Sequence, residues 1–447
     1  MTKQSFSPDE VRDDFIPKDA YFSPEFARLE AEHLWPYVWQ LACRLEEIPN
    51  IGDYVTYDIV DESIIIVRTG KDTIKAHHNV CPHRGRRLTQ GCGSAQHFVC
   101  RFHGWQYDLD GENTRVVDRH DWGDCLNQDD IHLKSVKVDT WGGFVFINMD
   151  PGCEPLADFL RPVDDYCAKF EFEKLRFRWY KTAIMPANWK TILEFFNEFY
   201  HVQQTHHQLL PFTNDYSNSD GFGRHAAMWY PATGALPLSR SPRLPPKDEP
   251  DFRNFVLEFV ETFNRDLKAM VTERNFNAAQ RLRTEVPATT EPIEVLGKWV
   301  QFQLEAAAAD GSGWPADLTP EYIENSKLDW HVFPNTIYLH GFVDGVLWYR
   351  ARPNGNDPES CIFDVWSLQR YGEGKAPPLK REFYRDWQDG EWPLIFRQDF
   401  SNLAEVQKGL KSRAFAGSRT NPVQERAISN FHRRLREFLR DAPNARR

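Results

Sequence analysis

The chain has 447 residues, 41% of them hydrophobic, and a formal net charge of −11 at pH 7. A chain of this length exceeds the size at which a single core stops growing, so we expect two or more folding units. The acidic balance excludes a nucleic-acid partner bound through a concentrated basic face. The polar N-terminal residues, and the lack of a stretch near the roughly 18 apolar residues of a membrane helix, predict a cytoplasmic protein without membrane contact.

The segment from 38 to 155 has the pattern of a small all-β domain. Short apolar or alternating runs, YVTYDIV, SIIIVR and TIKAHHNV, are separated by turn-forming residues at 61–62 and 70–72. Asp110-Gly111 marks a hairpin, and HLKSVKV and GGFVFINMD add two strands. Ahead of this segment, Pro24–Trp35 predicts a short amphipathic helix.

After residue 155 the hydrophobic period changes toward that of helices, most clearly in NWKTILEFFNEFYH. Residues 211–250, rich in proline and polar residues, predict a long loop, and 251–283 an amphipathic helix. Strands are predicted at VFPNTIYLHGF, VLWYRARPNG and SCIFDVWSLQRY. A last helix is predicted from Asn421-Pro422, with a buried face formed by Val423, Ala427, Phe431, Leu435 and Leu439.

Two loops of the β segment each pair a cysteine with a histidine. They are Cys81-x-His83 and, after sixteen intervening residues, Cys100-x-x-His103. A Rieske [2Fe-2S] centre needs two thiolates on one iron and two imidazoles on the other, which two such loops supply. Zinc accepts the same residues, although zinc sites more usually pair two cysteines and then two histidines. Cys92 lies between the loops and is interpreted as a free buried thiol, because choosing it as a ligand would break the mixed Cys/His pairing. Eight cysteines in so long a chain indicate no disulfide scaffold.

A second group of candidate ligands is Glu198-x-x-His201-x4-His206. In a straight helix a five-residue step places His206 roughly 140° around from His201, so the helix must end or distort if both bind one metal. A distant carboxylate, for which Asp399 is a candidate, would complete the two-histidine, one-carboxylate face that binds Fe(II). The alternatives are an ordinary helix with one core and one exposed histidine, and His207 in place of His206.

Both groups resemble motifs of the Rieske ring-hydroxylating oxygenases. CPHRG and CRFHGW resemble the Rieske box, and NWK, Glu194, the Glu198–His206 segment and RQDFSNLAEVQKGL resemble the iron-binding segments in the same order. The resemblance implies an α+β fold, in which an all-β Rieske domain (38–155) is inserted near the N-terminus of a larger helix-grip catalytic domain, an antiparallel sheet plus helices (1–37 and 156–447). It implies one 2Fe-2S cluster, on Cys81, His83, Cys100 and His103, and one mononuclear Fe(II), on His201, His206 and Asp399.

The resemblance also implies a function. The expected protein is a terminal mono- or dioxygenase component that hydroxylates an apolar, aromatic or other cyclic, substrate with O2. Its electrons would come from NAD(P)H through a ferredoxin or flavin reductase. Family members form head-to-tail trimers, some with a small β subunit, and Glu198 is expected to relay electrons from the cluster of one subunit to the iron of its neighbour.

Alternatives remain for the substrate and for the class of protein. Many ring dioxygenases have Asp at the Glu198 position, whereas monooxygenases of quaternary ammonium compounds have Glu, so a monooxygenase or demethylase of a quaternary ammonium or methoxy compound is one alternative. An electron-transfer Rieske protein without oxygenase activity and a zinc-stabilised binding protein are alternatives of other classes. Four arginines near the cluster loops could steer an acidic electron donor, although loop-stabilising hydrogen bonds explain them equally well; they are Arg84, Arg86, Arg87 and Arg101.

Overall fold

The computed structural model describes residues 6–230, 238–249, 251–327 and 329–440. Residues 1–5 and 441–447, at the two ends of the predicted catalytic domain, lie outside the described residues. So does part of the predicted loop, at 231–237 and 250. The chain divides into two compact units. The described residues of 1–27, 160–353 and 357–440 form the larger unit, and those of 28–159 and 354–356 form the smaller one. The limits 38–155 for the inserted domain stay a prediction.

The strands of the described residues, in chain order, are β1 (Ile16–Pro17), β2 (Gln40–Arg44), β3 (Asp53–Ile59), β4 (Glu62–Gly70), β5 (Thr73–His78), β6 (Cys92–Ser94), β7 (Phe98–Val99), β8 (Gln106–Tyr107), β9 (Asn113–Arg115), β10 (Ser135–Trp141), β11 (Phe144–Asn148), β12 (Leu175–Met185), β13 (Asn218–Phe222), β14 (His225–Trp229), β15 (Asp329–Val332), β16 (Thr336–Leu339), β17 (Gly345–Asn354), β18 (Asp357–Arg370), β19 (Arg381–Tyr384) and β20 (Gly417–Ser418). The α-helices are α1 (Pro24–Leu29), α2 (Leu156–Phe159), α3 (Val163–Cys167), α4 (Trp189–Phe195), α5 (Val202–Thr205), α6 (Phe252–Asp266), α7 (Glu273–Glu285), α8 (Pro292–Asp310), α9 (Pro320–Asn325), α10 (Leu394–Leu410) and α11 (Arg426–Arg440).

The smaller unit contains two antiparallel sheets, which confirms the predicted all-β character. The main sheet has the order β2-β11-β10-β5-β4-β3-β6, and the second has the order β7-β8-β9. The predicted hairpin at Asp110-Gly111 joins β8 to β9, with Tyr107 opposite Asn113. Gly111 has a φ of +88°, and a Cβ there would lie 2.7 Å from the ring of His77. The turn therefore requires glycine both for its backbone and for its close packing.

The larger unit is built on an eight-stranded sheet of order β13-β14-β15-β16-β17-β18-β12-β19. Its strands pair antiparallel except for β19, which runs parallel to β12. Helix α4 packs on β18 and α10, whereas α11 packs on β13 and β14. Helices α6, α7 and α8 form a separate apolar cluster that includes Phe259, Leu282 and Trp299. This arrangement confirms the predicted antiparallel sheet plus helices.

The predicted loop over 211–250 is wrong at residues 218–229, where β13 and β14 form a hairpin around Gly223 (φ +66°). The prolines that favoured a loop lie before and after this hairpin, at 211 and from 231 onward. Strand β14 pairs with β15, so the hairpin extends the sheet. Long-range pairing thus decides the structure of a segment whose local sequence indicated a loop.

Two helix predictions also differ from the structure. The helix predicted over 251–283 is two helices, because Lys268 (φ 52°) and Met270 (φ 62°) are left-handed and Thr272 caps α7. The last helix begins at Arg426 rather than at residue 421, because Asn421 accepts hydrogen bonds from the N–H groups of 423 and 424 within a preceding turn. Val423 is therefore 46% exposed, while the other predicted face residues, from Ala427 to Leu439, are buried.

None of the helices within the described residues combines the length and the apolar character that crossing a lipid bilayer requires.

Candidate metal centres

The two Cys/His loops of the smaller unit have the same backbone construction. Gly85 donates its N–H to the carbonyl of Cys81, and Gly104 donates to that of Cys100, each at 2.9 Å. Both glycines have a positive φ, of 75° and 74°, which residues with a Cβ rarely adopt. Each loop thus folds back over its cysteine, and the two cysteines, at 1% and 2% exposure, belong to the core of this unit.

The histidines of the two loops face one another beside the cysteines. The ring centroids of His83 and His103 are 4.6 Å apart, and His83 stacks on Trp105 with an interplanar angle of 7°. The Nδ1 atom of each histidine is fully enclosed and has no hydrogen-bond partner among the described residues. Burial, together with the charges of His103 and Arg84, lowers the pKa of His83, which favours the neutral, ligating imidazole.

This donor set fits a [2Fe-2S] cluster, since it offers two buried sulfurs and two inward, unpaired nitrogens. The Tyr107 hydroxyl lies 3.2 Å from the Cys81 sulfur and is placed to donate to it once the sulfur is a thiolate ligand. Cys92 is exposed on β6, so the interpretation of a buried thiol is wrong, although it lies apart from the paired loops as expected. His77, next to the hairpin, forms a hydrogen bond with the carbonyl of Leu109 at 3.1 Å.

In the larger unit the predicted iron-binding segment is not one helix. Helix α4 ends at Phe195, and α5 is a single turn flanked by His201 at its N-cap and His206 at its C-cap. The turn between the helices is held by Phe196, whose ring lies 4.3 Å from that of Tyr349. The helix predicted through residue 201 is therefore too long. The break lies ahead of His201, helical hydrogen bonds run from His201 to His206, and the helix ends at His206 itself (φ −122°, ψ 43°). The expected end of the helix is thus found at the second histidine, without a distortion between the two.

The break brings three ligand types together. Ligand atoms of His201, His206 and Asp399 all lie within 4.8 Å of one another. The Asp399 carboxylate oxygen is 2.9 Å from His206 Nε2 and 3.6 Å from His201 Nε2. Two imidazole nitrogens and one carboxylate on one side of a metal are the facial set that suits Fe(II).

Side chains behind the ligands fix both imidazoles. Glu198 accepts from His201 twice, from Nδ1 at 2.6 Å and from the backbone N–H at 3.0 Å. Burial alone lowers the pKa of His201, but the carboxylates of Glu198 and Asp399 raise it to about 9. His206 Nδ1 lies 2.9 Å from Gln398 Oε1, an oxygen that also accepts from Gln208 at 2.8 Å. Both Nε2 atoms are thereby left to face the metal position.

The segment around the ligands is anchored at both ends of α4. Asn188 caps α4 and donates its backbone N–H to the side-chain oxygen of Gln407 at 3.0 Å. Gln407 lies on α10 together with Asp399. This links the two segments that supply ligands.

A buried polar group lies at the other end of α4. Glu194 accepts from the Tyr21 hydroxyl at 3.1 Å and is 2.5 Å from His432 Nε2. Burial raises the pKa of Glu194 and lowers that of His432, which favours a neutral pair over an ion pair.

Three other side chains from this part of the sequence do not belong to the ligand group. His207 is exposed and does not belong to the group of converging ligand atoms, so His206 is the better candidate. Phe212 packs in the helical core cluster, and Phe199 stacks on Tyr230 at 5.3 Å. Sequence patterns gave no signal for Gln398, Gln208 or Tyr107, because their partners are distant along the chain.

Comparison with known proteins gives matches to two family models. Residues 38–121 match the Rieske [2Fe-2S] domain. Residues 172–441 match the ring hydroxylating alpha subunit, catalytic domain. The two matches contain all four residues of the cluster loops and all three candidate ligands of the larger unit.

Similar proteins include two oxygenase subunits. The glycine betaine monooxygenase oxygenase subunit of Chromohalobacter salexigens is 35% identical over 209 residues, 46% of each chain. The carnitine monooxygenase oxygenase subunit of Escherichia coli is 34% identical over 196 residues, 43% of this chain and 52% of that one. The matched part of the chain thus spans about half the length of these curated relatives.

A similar fold is found in a crystal structure of a quaternary ammonium Rieske monooxygenase in complex with an inhibitor. The superposition has a TM-score of 0.64 at 18% identity and covers 97% of this chain and 99% of that chain. At this identity the likeness concerns the fold.

Proposed function

The chain belongs to the ring hydroxylating alpha-subunit family, whose members hold a Rieske 2Fe-2S cluster and a mononuclear iron, and we propose that it is the oxygenase component of a Rieske monooxygenase for a quaternary ammonium compound. The observation that carries the proposal is the presence of two separate donor sets in one chain. An electron-transfer Rieske protein needs only the first set, and a zinc-stabilised protein needs neither the mixed Cys/His loops nor the second set. The facial set of His201, His206 and Asp399 argues for O2 chemistry.

Each site residue has a role in this proposal. Cys81, His83, Cys100 and His103 hold the cluster, and His201, His206 and Asp399 hold the iron. When both groups are bound, the cluster supplies electrons and the iron activates O2 at its open positions. The protein's own part is to orient these ligands: Glu198 fixes His201 and Gln398 fixes His206. Both imidazole rings are thereby held in the orientation that metal binding needs.

Two observations favour a quaternary ammonium substrate over an apolar ring. The curated relatives named above act, by their names, on glycine betaine and carnitine. The chain also has Glu198 where many ring dioxygenases have Asp. The expectation of an aromatic hydrocarbon has no comparable support among these relatives. Hydroxylation of a carbon next to the ammonium nitrogen would consume O2, two electrons and two protons, release water, and leave an alcohol that breaks down to an amine and an aldehyde.

We further propose the partners that such a component needs. A ferredoxin or flavin reductase would deliver electrons from NAD(P)H to the cluster. A homotrimer, with or without a small β subunit, would bring the cluster of one subunit to the iron of the next. In that assembly Glu198 would accept a hydrogen bond from a cluster histidine of the neighbour and so connect the two centres.

A single-turnover experiment tests the proposed activity without the natural electron donor. The iron-loaded protein is reduced with dithionite, freed of excess reductant, and mixed with O2 and one compound from a panel. The panel contains carnitine, glycine betaine, choline, benzoate and naphthalene. We expect an amine and an aldehyde from one of the three ammonium compounds, in an amount comparable to the protein. Product from an aromatic compound alone would overturn the substrate class, and no product from any compound would overturn the oxygenase proposal.

A further inference from the structure

One buried carboxylate of the larger unit has no partner. Asp329, the first residue of β15, is 4% exposed. Among the described residues nothing donates a hydrogen bond to its side chain and no cation pairs with it; burial is the one influence on its ionisation. A buried carboxylate without compensation is strongly disfavoured in its charged form. Such a group needs an explanation, and a ligand that supplies the missing partner is one.

The sheet register turns Asp329 toward the iron-binding segment. Asp329 lies opposite Leu339, and Ile337 on the same strand lies opposite Tyr349. Because opposed residues share a face and faces alternate along a strand, Asp329 and Tyr349 project from the same face of the sheet. On that face the ring of Tyr349 packs against Phe196, in the turn between α4 and α5.

Two tyrosines connect Asp329 to the ligand segment. Burial raises the pKa of Tyr349, and the charges of Asp399 and Asp329 raise it further, so this hydroxyl lies within electrostatic reach of both carboxylates. Burial and the charge of Asp329 likewise raise the pKa of Tyr230, whose ring stacks on Phe199 at 5.3 Å. Neither tyrosine hydroxyl has a hydrogen-bond partner within the described part of the chain. The carboxylate thus has aromatic rings on the side of the candidate iron site.

We propose that Asp329 binds the positively charged nitrogen of the substrate, between the rings of Tyr230 and Tyr349. An alkylammonium cation is weakly hydrated, it is attracted by aromatic faces, and here it would also neutralise a buried carboxylate that lacks a partner among the described residues. This assignment rests on the proposed function and makes it more specific, since it names the residue that selects a cation over a neutral ring compound. An apolar aromatic substrate would leave Asp329 without a counter-charge.

The ionisation of Asp329 provides an independent readout. Burial raises the pKa of the Asp329 carboxyl well above its usual range, which favours the protonated form in the empty site. A bound cation favours the carboxylate and therefore displaces that proton. Cation affinity should therefore rise with pH up to the pKa of the Asp329 carboxyl in the empty site, and should be constant above it.

The test compares the trimethylammonium group with a neutral group of the same shape. Choline, carnitine and glycine betaine are each paired with the isostere in which a tert-butyl group replaces trimethylammonium, and binding to the iron-loaded protein is measured by calorimetry in two buffers. We expect D329N to weaken the best-bound cation by about tenfold or more and to abolish proton release, while binding of the isostere changes by less than about twofold. D329E should keep the preference for the cation, because it keeps the charge.

The controls separate the possible failures. E373Q removes an exposed carboxylate elsewhere in the larger unit and should change neither affinity. The visible spectrum and the iron content report whether D329N is folded. Equal losses for cation and isostere, an unchanged cation affinity, or a wild-type protein that binds none of the three cations would each overturn the assignment. If the Asp329 assignment fails, hydroxylation of any compound in the single-turnover experiment would still support the proposed oxygenase function. If cations bind as expected but no compound is hydroxylated, the oxygenase proposal fails and the Asp329 assignment stands.

Discussion

The imidazole of His206 donates its Nδ1 hydrogen to the side-chain oxygen of Gln398, at 2.9 Å. An amide oxygen can only accept, so this contact assigns the proton to Nδ1 and leaves the Nε2 lone pair to face Asp399. Gln398 directly precedes Asp399 on α10. One turn of this helix therefore supplies one candidate iron ligand and orients another.

Replacing Gln398 should weaken iron binding without affecting the cluster. We expect Gln398→Leu to lower the Fe(II) affinity of the apoprotein by about 10- to 100-fold, as for other residues that orient a ligating histidine. Titration with Fe(II), followed by desalting and metal analysis, measures the change. The matched control is Gln204→Leu on the exposed side of α5. Equal iron retention in both variants would contradict the role of Gln398.

Replacing Glu198 should separate metal binding from turnover. In Glu198→Gln the side-chain oxygen still accepts from His201 Nδ1, so both the cluster and the iron should be retained. The negative charge that would connect neighbouring subunits is lost, and we expect turnover to be nearly abolished. The rate of cluster oxidation after mixing with O2 and substrate measures this, with Glu405→Gln on α10 as the control. Retention of most activity by Glu198→Gln would remove the relay role.

The Tyr107 hydroxyl should tune the cluster. A hydrogen bond to a cluster sulfur stabilises the reduced, more negative state, so its loss in Tyr107→Phe should lower the reduction potential. Protein-film voltammetry measures the shift. Tyr57→Phe removes a buried hydroxyl that bonds Gln40 in the same unit, away from the cluster, and should leave the potential unchanged. An identical potential in the two variants would show that Tyr107 does not donate to the sulfur.

The arginines near the cluster loops should act on the electron donor through charge. Arg86 and Arg87 are exposed, and Arg87 forms only a surface ion pair with Asp58 at 3.5 Å. Reversing both to Glu should raise the apparent KM for an acidic ferredoxin and flatten its salt dependence, because electrostatic attraction speeds the encounter. Single turnover of the pre-reduced protein bypasses the donor and should not change. An unchanged KM and salt dependence would eliminate docking at these residues.

The sequence allowed correct prediction where the determining pattern is local. The strands of the smaller unit, the hairpin at Asp110-Gly111 and the two Cys/His loops all follow from spacing within about 25 residues. The end of α4 at Phe195 could not be predicted this way, because the segment keeps a helical period and the turn is held by Tyr349.

The residues that complete the two sites depend on long-range contacts. Gln398 lies 192 residues from its partner His206. Asp329 stands out only because the folded sheet leaves it buried without a partner among the described residues. Asp329 belongs to no motif, and the segment that contains Gln398 gives no indication that this side chain orients His206.

The central claim is that one chain holds two separate iron sites, and iron and sulfide analysis of matched variants tests it most directly. Wild-type protein should contain about three irons and two acid-labile sulfides per chain, two of the irons in the cluster and one mononuclear. His206→Ala should lose about one iron and keep the Rieske EPR signal, whereas the exposed control His207→Ala should keep all three. Wild-type protein that carries no iron outside the cluster, or a His207→Ala variant that loses the mononuclear iron while His206→Ala keeps it, would contradict this account.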